Sequence, residues 1–246
     1  MIITGLNLEK DSWRNHIADI TTDAIWFSST ADKHQIPDRG FSNDQDFHGI
    51  FIHEIPYQMI NRYTKEDETI WDCFAGSGTT YEVATHLKRN CICNDLNPTK
   101  PYIQVGDSRT FNPKQTVQMV IMHPPYHNIV KYSNDGSDLS NCSSLSDFYL
   151  SFTEIMKNVN QYLEPNRFLI LVCGHVYIDG EDISVGHDCM QIVRRFGYKC
   201  KGQIIKDYGE TKGGHKKRAN LEYYRALKNG TWKFAGDNIF VMQKQK

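Results

Sequence analysis

A run of four apolar residues, Met119, Val120, Ile121 and Met122, stops at His123-Pro124-Pro125-Tyr126. A short apolar run bounded by turn residues reads as a buried strand. Two consecutive prolines cannot continue it, because each fixes φ and lacks an N–H. The strand is therefore expected to end in a rigid knuckle bracketed by an imidazole and a phenol. A neutral imidazole carries one acceptor nitrogen, and a tyrosine presents a ring with a polar tip. Rigidity, an acceptor and an aromatic ring at one strand end are the makings of a site.

A second cluster lies upstream. Asp72-Cys73-Phe74-Ala75-Gly76-Ser77-Gly78-Thr79-Thr80 joins the expected strand "TIWDCF" to the expected helix "TTYEVATHLKR". Two glycines let the backbone approach a ligand, and the helix start offers N–H groups and a positive dipole end. The pattern is not GxGxxG, because Thr80 and Tyr81 follow the second glycine. Nor is it a P-loop, for no Gly-Lys-Ser/Thr follows. A bare Gly-x-Gly is as often a plain tight turn, but Asp72 and the strand–helix setting favour a ligand. Asp95 ends the next strand, "CICNDL", about 20 residues downstream, the spacing at which a carboxylate grips ribose hydroxyls. Asp107 ends "YIQVGDS", where a carboxylate can accept from an adenine amino group. Alone, each is a helix cap or a solvated strand end. In series with the glycines, all fall at C-terminal strand ends, where open α/β sheets bind ligands.

The elements that position these residues alternate. Strands are expected at "TIWDCF", "CICNDL", "YIQVGD", "VQMVIM", "RFLILVCG", "KGQIIK" and "NIFVMQ", seven in all. Helices are expected at "EIPYQMINRY", "TTYEVATHLKR", "DFYLSFTEIMKNVNQYL" and "DCMQIVRRFGY". Pro56 suits a first helical turn. In the third helix Phe148, Phe152, Ile155, Met156, Val159 and Leu163 share one face, with Ser146 as the expected N-cap and Asp147 in the first turn. Alternation of this kind argues for an α/β doubly wound, mostly parallel sheet. Residues 1–46 read as an irregular arm. Residues 47–246 read as one domain, interrupted by polar loops at 127–145 and 207–236.

Composition sets limits. The 246 residues carry a net charge of −1 and 39% hydrophobic residues, enough for one sizeable core without a global basic field. Nucleic-acid binding would need a local patch. The seven cysteines form no CxxC pair, and Cys91-Ile92-Cys93 lacks two further ligands nearby, so no metal site is expected. An odd count without a framework suits reduced thiols in a cytoplasmic protein. No secretory h-region and no membrane-length apolar window stand out.

"DCFAGSGTT" followed by "HPPY" resembles the S-adenosylmethionine-dependent amino-group DNA methyltransferases, the N6-adenine and N4-cytosine methylases of restriction-modification type. Their glycine motif reads close to D-P-F-x-G-S-G-T-T and their catalytic motif D/N/S-P-P-Y/F. The run "HPPYHNIVKYS", the strand "LILVCGHVY" and the tail from "KDYGETKGG" onward are also similar, so the likeness covers residues 47–246. It implies a seven-stranded class I, Rossmann-like methyltransferase fold in a bacterial, archaeal or phage-encoded chain. S-adenosylmethionine would lie over Asp72, Phe74, Ala75, Gly76, Ser77, Gly78, Thr79 and Thr80, with Asp95 and Asp107 on its nucleoside. "FHGIFIHEIPYQMI" would occupy the place of the motif that holds the methionine part, with Phe51, His53 and Pro56 nearby. His123, Pro124, Pro125 and Tyr126 would hold the target base.

The implied chemistry agrees with the residues. An exocyclic amino nitrogen is a poor nucleophile, because its lone pair is delocalised into the ring. Two acceptors taking its two N–H groups rehybridise it: the Pro124 carbonyl and the side chain at 123. Tyr126 stacks on a base turned out of its helix. The chain departs from the pattern at His123, where adenine-specific relatives usually carry Asp or Asn and cytosine-specific ones often Ser. Neutral imidazole accepts and imidazolium does not. N6 of adenine is set slightly ahead of N4 of cytosine. RNA amino-methylation and a catalytically silent nucleic-acid-binding subunit are the rival readings.

Lys212, Lys216, Lys217, Arg218 and Arg225 gather in a tail interleaved with Tyr223, Tyr224 and Trp232. Cations for phosphates and rings for stacking suit a nucleic-acid groove. Lys131, Tyr132 and Ser133, just past the knuckle, would meet the neighbours of the flipped nucleotide. No large recognition domain fits in the remaining residues. DNA specificity is then left to these loops, a second copy of the chain, or a separate specificity or restriction partner.

Overall fold

The computed structural model describes residues 22, 24–26, 52–127, 130–207, 227–230, 232 and 236–246. In chain order the elements are β1 (Ile25–Trp26), α1 (Glu54–Tyr63), β2 (Thr69–Asp72), α2 (Thr79–His86), β3 (Asn90–Asp95), β4 (Gln104–Val105) and β5 (Val117–Met122). They continue with α3 (Leu145–Tyr162), β6 (Leu163–Cys173), β7 (Val176–Ile178), β8 (Glu181–Ile183), α4 (Val185–Arg195), β9 (Tyr198–Asp207) and β10 (Gly236–Lys244).

The main sheet runs β1-β9-β10-β6-β5-β2-β3-β4. All pairings are parallel except those of β10, which lies antiparallel between β6 and β9. The seven expected strands are all present. An eighth, β1, joins the edge by pairing Ile25 and Trp26 with Ile205 and Lys206 of β9. The arm 1–46 thus contributes a strand, which the sequence reading lacked. Two residues are too few to show a period, and only the partner strand makes them one.

The strands sort their side chains with a period of two, as the pleat requires. Ile70, Met119, Ile121, Phe168, Ile170, Val172, Ile239 and Val241 face the cluster built with α1 and α2. Trp71, Val120, Met122, Leu169, Leu171, Phe240 and Met242 face the cluster built with α3 and α4. Both faces are covered, so the central strands read as unbroken apolar runs. α3 is capped by Ser144, whose hydroxyl accepts the Asp147 N–H, and not by Ser146. Ser144 sits three residues before Asp147, the capping-box spacing. "VYIDGEDI" folds as a second small sheet, the β7–β8 hairpin. Asp179 and Gly180 at its turn have φ of 51° and 86°. That is the two-residue Asp-Gly turn whose twist suits a hairpin, a signal present in the sequence and not used.

Candidate active site

The sheet reverses its winding at β2. The chain moves outward through β3 and β4, then returns to place β5 on the other side of β2. The C-terminal ends of β2 and β5 flank that switch point, where open α/β sheets bind ligands. Asp72 of β2 pairs in register with Ile121 of β5. The glycine turn after Asp72 and the knuckle after Met122 therefore leave the same sheet edge side by side. The Cys73 thiol reaches the Ile121 carbonyl at 3.9 Å.

The glycine turn is held by its own residues. Gly76 and Gly78 have φ of 50° and 89°, conformations that favour glycine. Asp95 Oδ2 accepts the Gly76 N–H at 2.9 Å, and Oδ1 accepts the Asn97 N–H at 2.9 Å. Thr99 donates to the Gly76 carbonyl at 2.8 Å. A Cβ on Gly78 would lie 2.5 Å from the Tyr102 hydroxyl oxygen, so this glycine also makes room for Tyr102. That ring stacks on Tyr81 at 4.1 Å. Asp72 is buried, and its Oδ1 accepts the Phe74 N–H at 3.0 Å. Burial pushes its carboxyl up to about 6, against the pull of the Thr80 hydroxyl and the Phe74 N–H.

Asp107 carries a partner that spacing did not suggest. Arg109 Nε and Nη2 donate to Asp107 Oδ2 at 2.9 and 2.6 Å, Nε also reaches Oδ1 at 3.0 Å, and Nη2 also reaches the Ser137 carbonyl at 3.0 Å. The ion pair ties the end of β4 to the loop after the knuckle. Beneath it, buried Asn94 accepts the Trp71 indole N–H at 2.7 Å and donates to Gly106 O and Ser108 Oγ at 3.0 and 2.9 Å. Ser108 in turn donates to the Cys73 carbonyl. One asparagine thus couples β2, β3 and the turn bearing Asp107.

At the knuckle, His123 Nε2 and the Tyr126 hydroxyl lie 2.8 Å apart, and that hydroxyl donates to Asp237 Oδ1 at 2.8 Å. Burial holds His123 below the ordinary imidazole value; Asp237 draws it up and Lys206 pushes it down. A Cβ on Gly174 would lie 2.8 Å from Cε2 of Tyr126, so the ring edge packs against a glycine. His127, buried with φ of 53°, follows at once. Its imidazole is likewise held low by burial. Sequence reading missed Asn94, Tyr102, Arg109, His127, Gly174 and Asp237.

The remaining candidates fall differently. His53 is buried at the N-cap of α1. Ser133 Oγ donates to Asp138 Oδ2 at 2.7 Å, and so helps to build its own loop. Lys131 is exposed, and so is Tyr132. Phe51, Lys212, Lys216, Lys217, Arg218 and Arg225 lie outside the described residues. Within the tail, Trp232 is 90% exposed, and its carbonyl accepts from Tyr177 on β7. Among the described residues no cluster suits a metal ion, and no helix is long and apolar enough to cross a membrane. The seven cysteines are free thiols.

A sheet of this order is the class I, Rossmann-like fold of the S-adenosylmethionine-dependent methyltransferases. Residues 4–104 match the family model of the DNA methylases, N6_N4_Mtase, which supports the N6-adenine/N4-cytosine DNA methylase family and S-adenosylmethionine as cofactor. The match takes in β1 through most of the β3–β4 unit and ends before the knuckle.

Among solved structures, the [4+2]-cyclase SpnF is similar at TM-score 0.50 and 10% identity, over 78% of this chain and 81% of its own. TrmN from Thermus thermophilus follows at 0.48 and 13%, over 79% of this chain and 49% of its own. NodS from Bradyrhizobium japonicum, an N-methyltransferase in complex with S-adenosyl-L-homocysteine, matches at 0.44 and 8%, over 74% and 80%. The chain spans about half the length of TrmN. At such identities the likeness is one of fold, and folds of this kind host unrelated reactions. No curated protein matches the chain.

The residues present fit the cofactor. Asp72 Oδ2 and Thr80 Oγ1 are buried side-chain oxygens that make no hydrogen bond of ordinary geometry among the described residues, and beyond the pull of the Thr80 hydroxyl on the carboxyl they are left to each other. A carboxylate and a hydroxyl left so at the head of a glycine turn suit the ammonium of an amino-acid moiety.

Proposed function

We propose that this chain is a DNA methyltransferase that modifies an exocyclic amino group, N6 of adenine ahead of N4 of cytosine. The observation that carries the reading is the in-register pairing of β2 and β5, which sets the glycine turn and His123–Tyr126 on one sheet edge. Bound there, S-adenosylmethionine supplies an electrophilic methyl group. Asp72 and Thr80 take its ammonium end and Asp95 its ribose. Asp107 addresses the adenine as one half of its ion pair with Arg109. On the other side of the switch point, the Pro124 carbonyl and the His123 ring accept the two N–H groups of the target, and Tyr126 lies against its ring. Fixing both partners in line supplies much of the rate, since prepaid orientation replaces a bimolecular encounter. Lys131 and Tyr132, with Lys212, Lys216, Lys217, Arg218 and Arg225 of the tail, meet the phosphates and flanking bases of DNA, alone or with a second copy or a specificity partner.

The test is label transfer from radiolabelled cofactor to duplex DNA and, in parallel, to total RNA. Modification mapping of DNA from cells that express the chain then reports base and sequence together. Label in DNA at an amino nitrogen is the expected result. Label in RNA alone, or bound cofactor with no transfer to either, overturns the reading.

A further inference from the structure

The mechanism so far uses the His123 ring as an acceptor, but an imidazole accepts only through the nitrogen that lacks hydrogen. Something must decide which nitrogen that is. The Tyr126 hydroxyl has one proton, and Asp237 Oδ1 receives it at 2.8 Å. Its oxygen can then only accept from His123 Nε2, which stands 2.8 Å away. The ring is therefore held as the Nε2–H tautomer, with the lone pair on Nδ1.

We propose that Asp237 is a positioning residue which, through the Tyr126 hydroxyl, fixes His123 as the tautomer that presents Nδ1 as acceptor to the target amino group. The inference rests on the reading of His123 given above. The antiparallel ladder sets Asn238 opposite Cys173, which brings buried Asp237 alongside Gly174, the residue whose missing side chain admits the Tyr126 ring. Across the other ladder Asp237 pairs with Lys206 of β9. Among the described residues, those two charges and the Tyr126 phenol face His123 from β9, β10 and the knuckle. The same arrangement suits the proton released when the amino nitrogen gains a fourth bond, to a methyl carbon whose bond to the sulfonium sulfur would break with its electron pair left on sulfur. That N–H bond breaks, its electron pair stays on nitrogen, and the proton passes to Nδ1. The Asp237 charge offsets the imidazolium until the proton leaves to solvent. A fixed histidine tautomer set by a hydrogen bond on its far nitrogen is a general device of acid–base sites.

The experiment is ¹⁵N-detected NMR of the histidine rings in the labelled full chain, with His123 assigned by the signal that His123→Asn removes. Wild type is expected to show the Nε2–H tautomer at His123. In Asp237→Ala the Tyr126 proton turns to Nε2, so the His123 population shifts to Nδ1–H. Methyl transfer falls about 10²-fold in kcat, with the KM for cofactor unchanged. Tyr126→Phe removes the relay without removing the ring and releases the tautomer to a mixture, which covers the case that Asp237→Ala fails to fold. Asp237→Asn keeps an acceptor but loses the charge that raises the imidazole. Its acidic rate limb is expected to move to lower pH. An Nδ1–H wild type, or a His123 signal unmoved in Asp237→Ala and Tyr126→Phe, overturns the proposal. If the signals move as expected while His123→Ala still transfers methyl, the relay stands and the acceptor reading falls.

Discussion

At the residue scale the proposed reading puts two titrating groups, His123 and Asp72, in the site. His123 accepts only when neutral, and burial lowers its folded value below the ordinary 6.5. With cofactor saturating, kcat is expected to be full at neutral pH and to fall as pH drops through that lowered value. His123→Asn keeps an acceptor and should remove the acidic limb, as a rate profile would show. Asp72 runs the other way. Its carboxyl is raised from 3.8 to about 6. Its protonated form favours the fold, so stability is full below about 4 and is lost as pH rises through 6. Asp72→Asn is therefore expected to raise the stability at neutral pH, by up to ~3 kcal/mol at 1.36 kcal/mol per unit, with no gain below pH ~4. Melting curves across pH test this. Cofactor affinity should move oppositely, because an ammonium prefers the ionised carboxylate. Calorimetry with S-adenosylhomocysteine should show weakening as pH falls through about 6 in wild type and no such dependence in Asp72→Asn.

At the element scale the site depends on how strand ends are tied together. Asn94 holds β2, β3 and the Ser108 turn in one hydrogen-bonded unit. Asn94→Leu leaves the Trp71 indole N–H and the Gly106 carbonyl without it, at a cost of about 1–3 kcal/mol for each buried group left unpaired. Denaturant unfolding should register the loss, and cofactor affinity should fall with it, because Asp95 is the next residue. Gly174 acts by absence. Gly174→Ala forces a methyl to within 2.8 Å of the Tyr126 ring. Overpacking of this kind costs about 1–3 kcal/mol. Tyr126 must shift, so methyl transfer should drop while cofactor binding stays near wild type. On the proposed reading the knuckle holds the base and the glycine turn the cofactor, and this pair of measurements separates the two.

At the scale of the whole molecule the sheet is asymmetric. One edge ends in the short β4, and the other is closed by β1 on β9. The Ile205 N–H donates to the Ala24 carbonyl at 2.8 Å, so those few residues occupy an edge that would otherwise offer unpaired backbone beside Ile205. Open edges of this kind recruit other chains. Deletion of residues 1–46 is expected to give self-association on size-exclusion chromatography, with the monomeric fraction keeping its far-UV spectrum. A truncated chain that elutes as the full chain does would show that the edge needs no cover.

The sequence by itself determined what depends on near neighbours. Alternating apolar strands and amphipathic helices, the glycine turn, the proline knuckle and the carboxylates at strand ends are patterns within a few residues of one another. Local geometry suffices to read them. Asp179-Gly180 is a signal of the same local kind, a two-residue hairpin turn legible from its own residues. Only the tertiary structure decided what those groups meet. Asp237 lies 111 residues from Tyr126 and reaches it because β10 inserts antiparallel between β6 and β9. Asp107 is paired by an arginine two residues on, and Gly78 is filled by Tyr102. A contact made across the sheet is set by strand order and register, and no periodicity within one strand carries either.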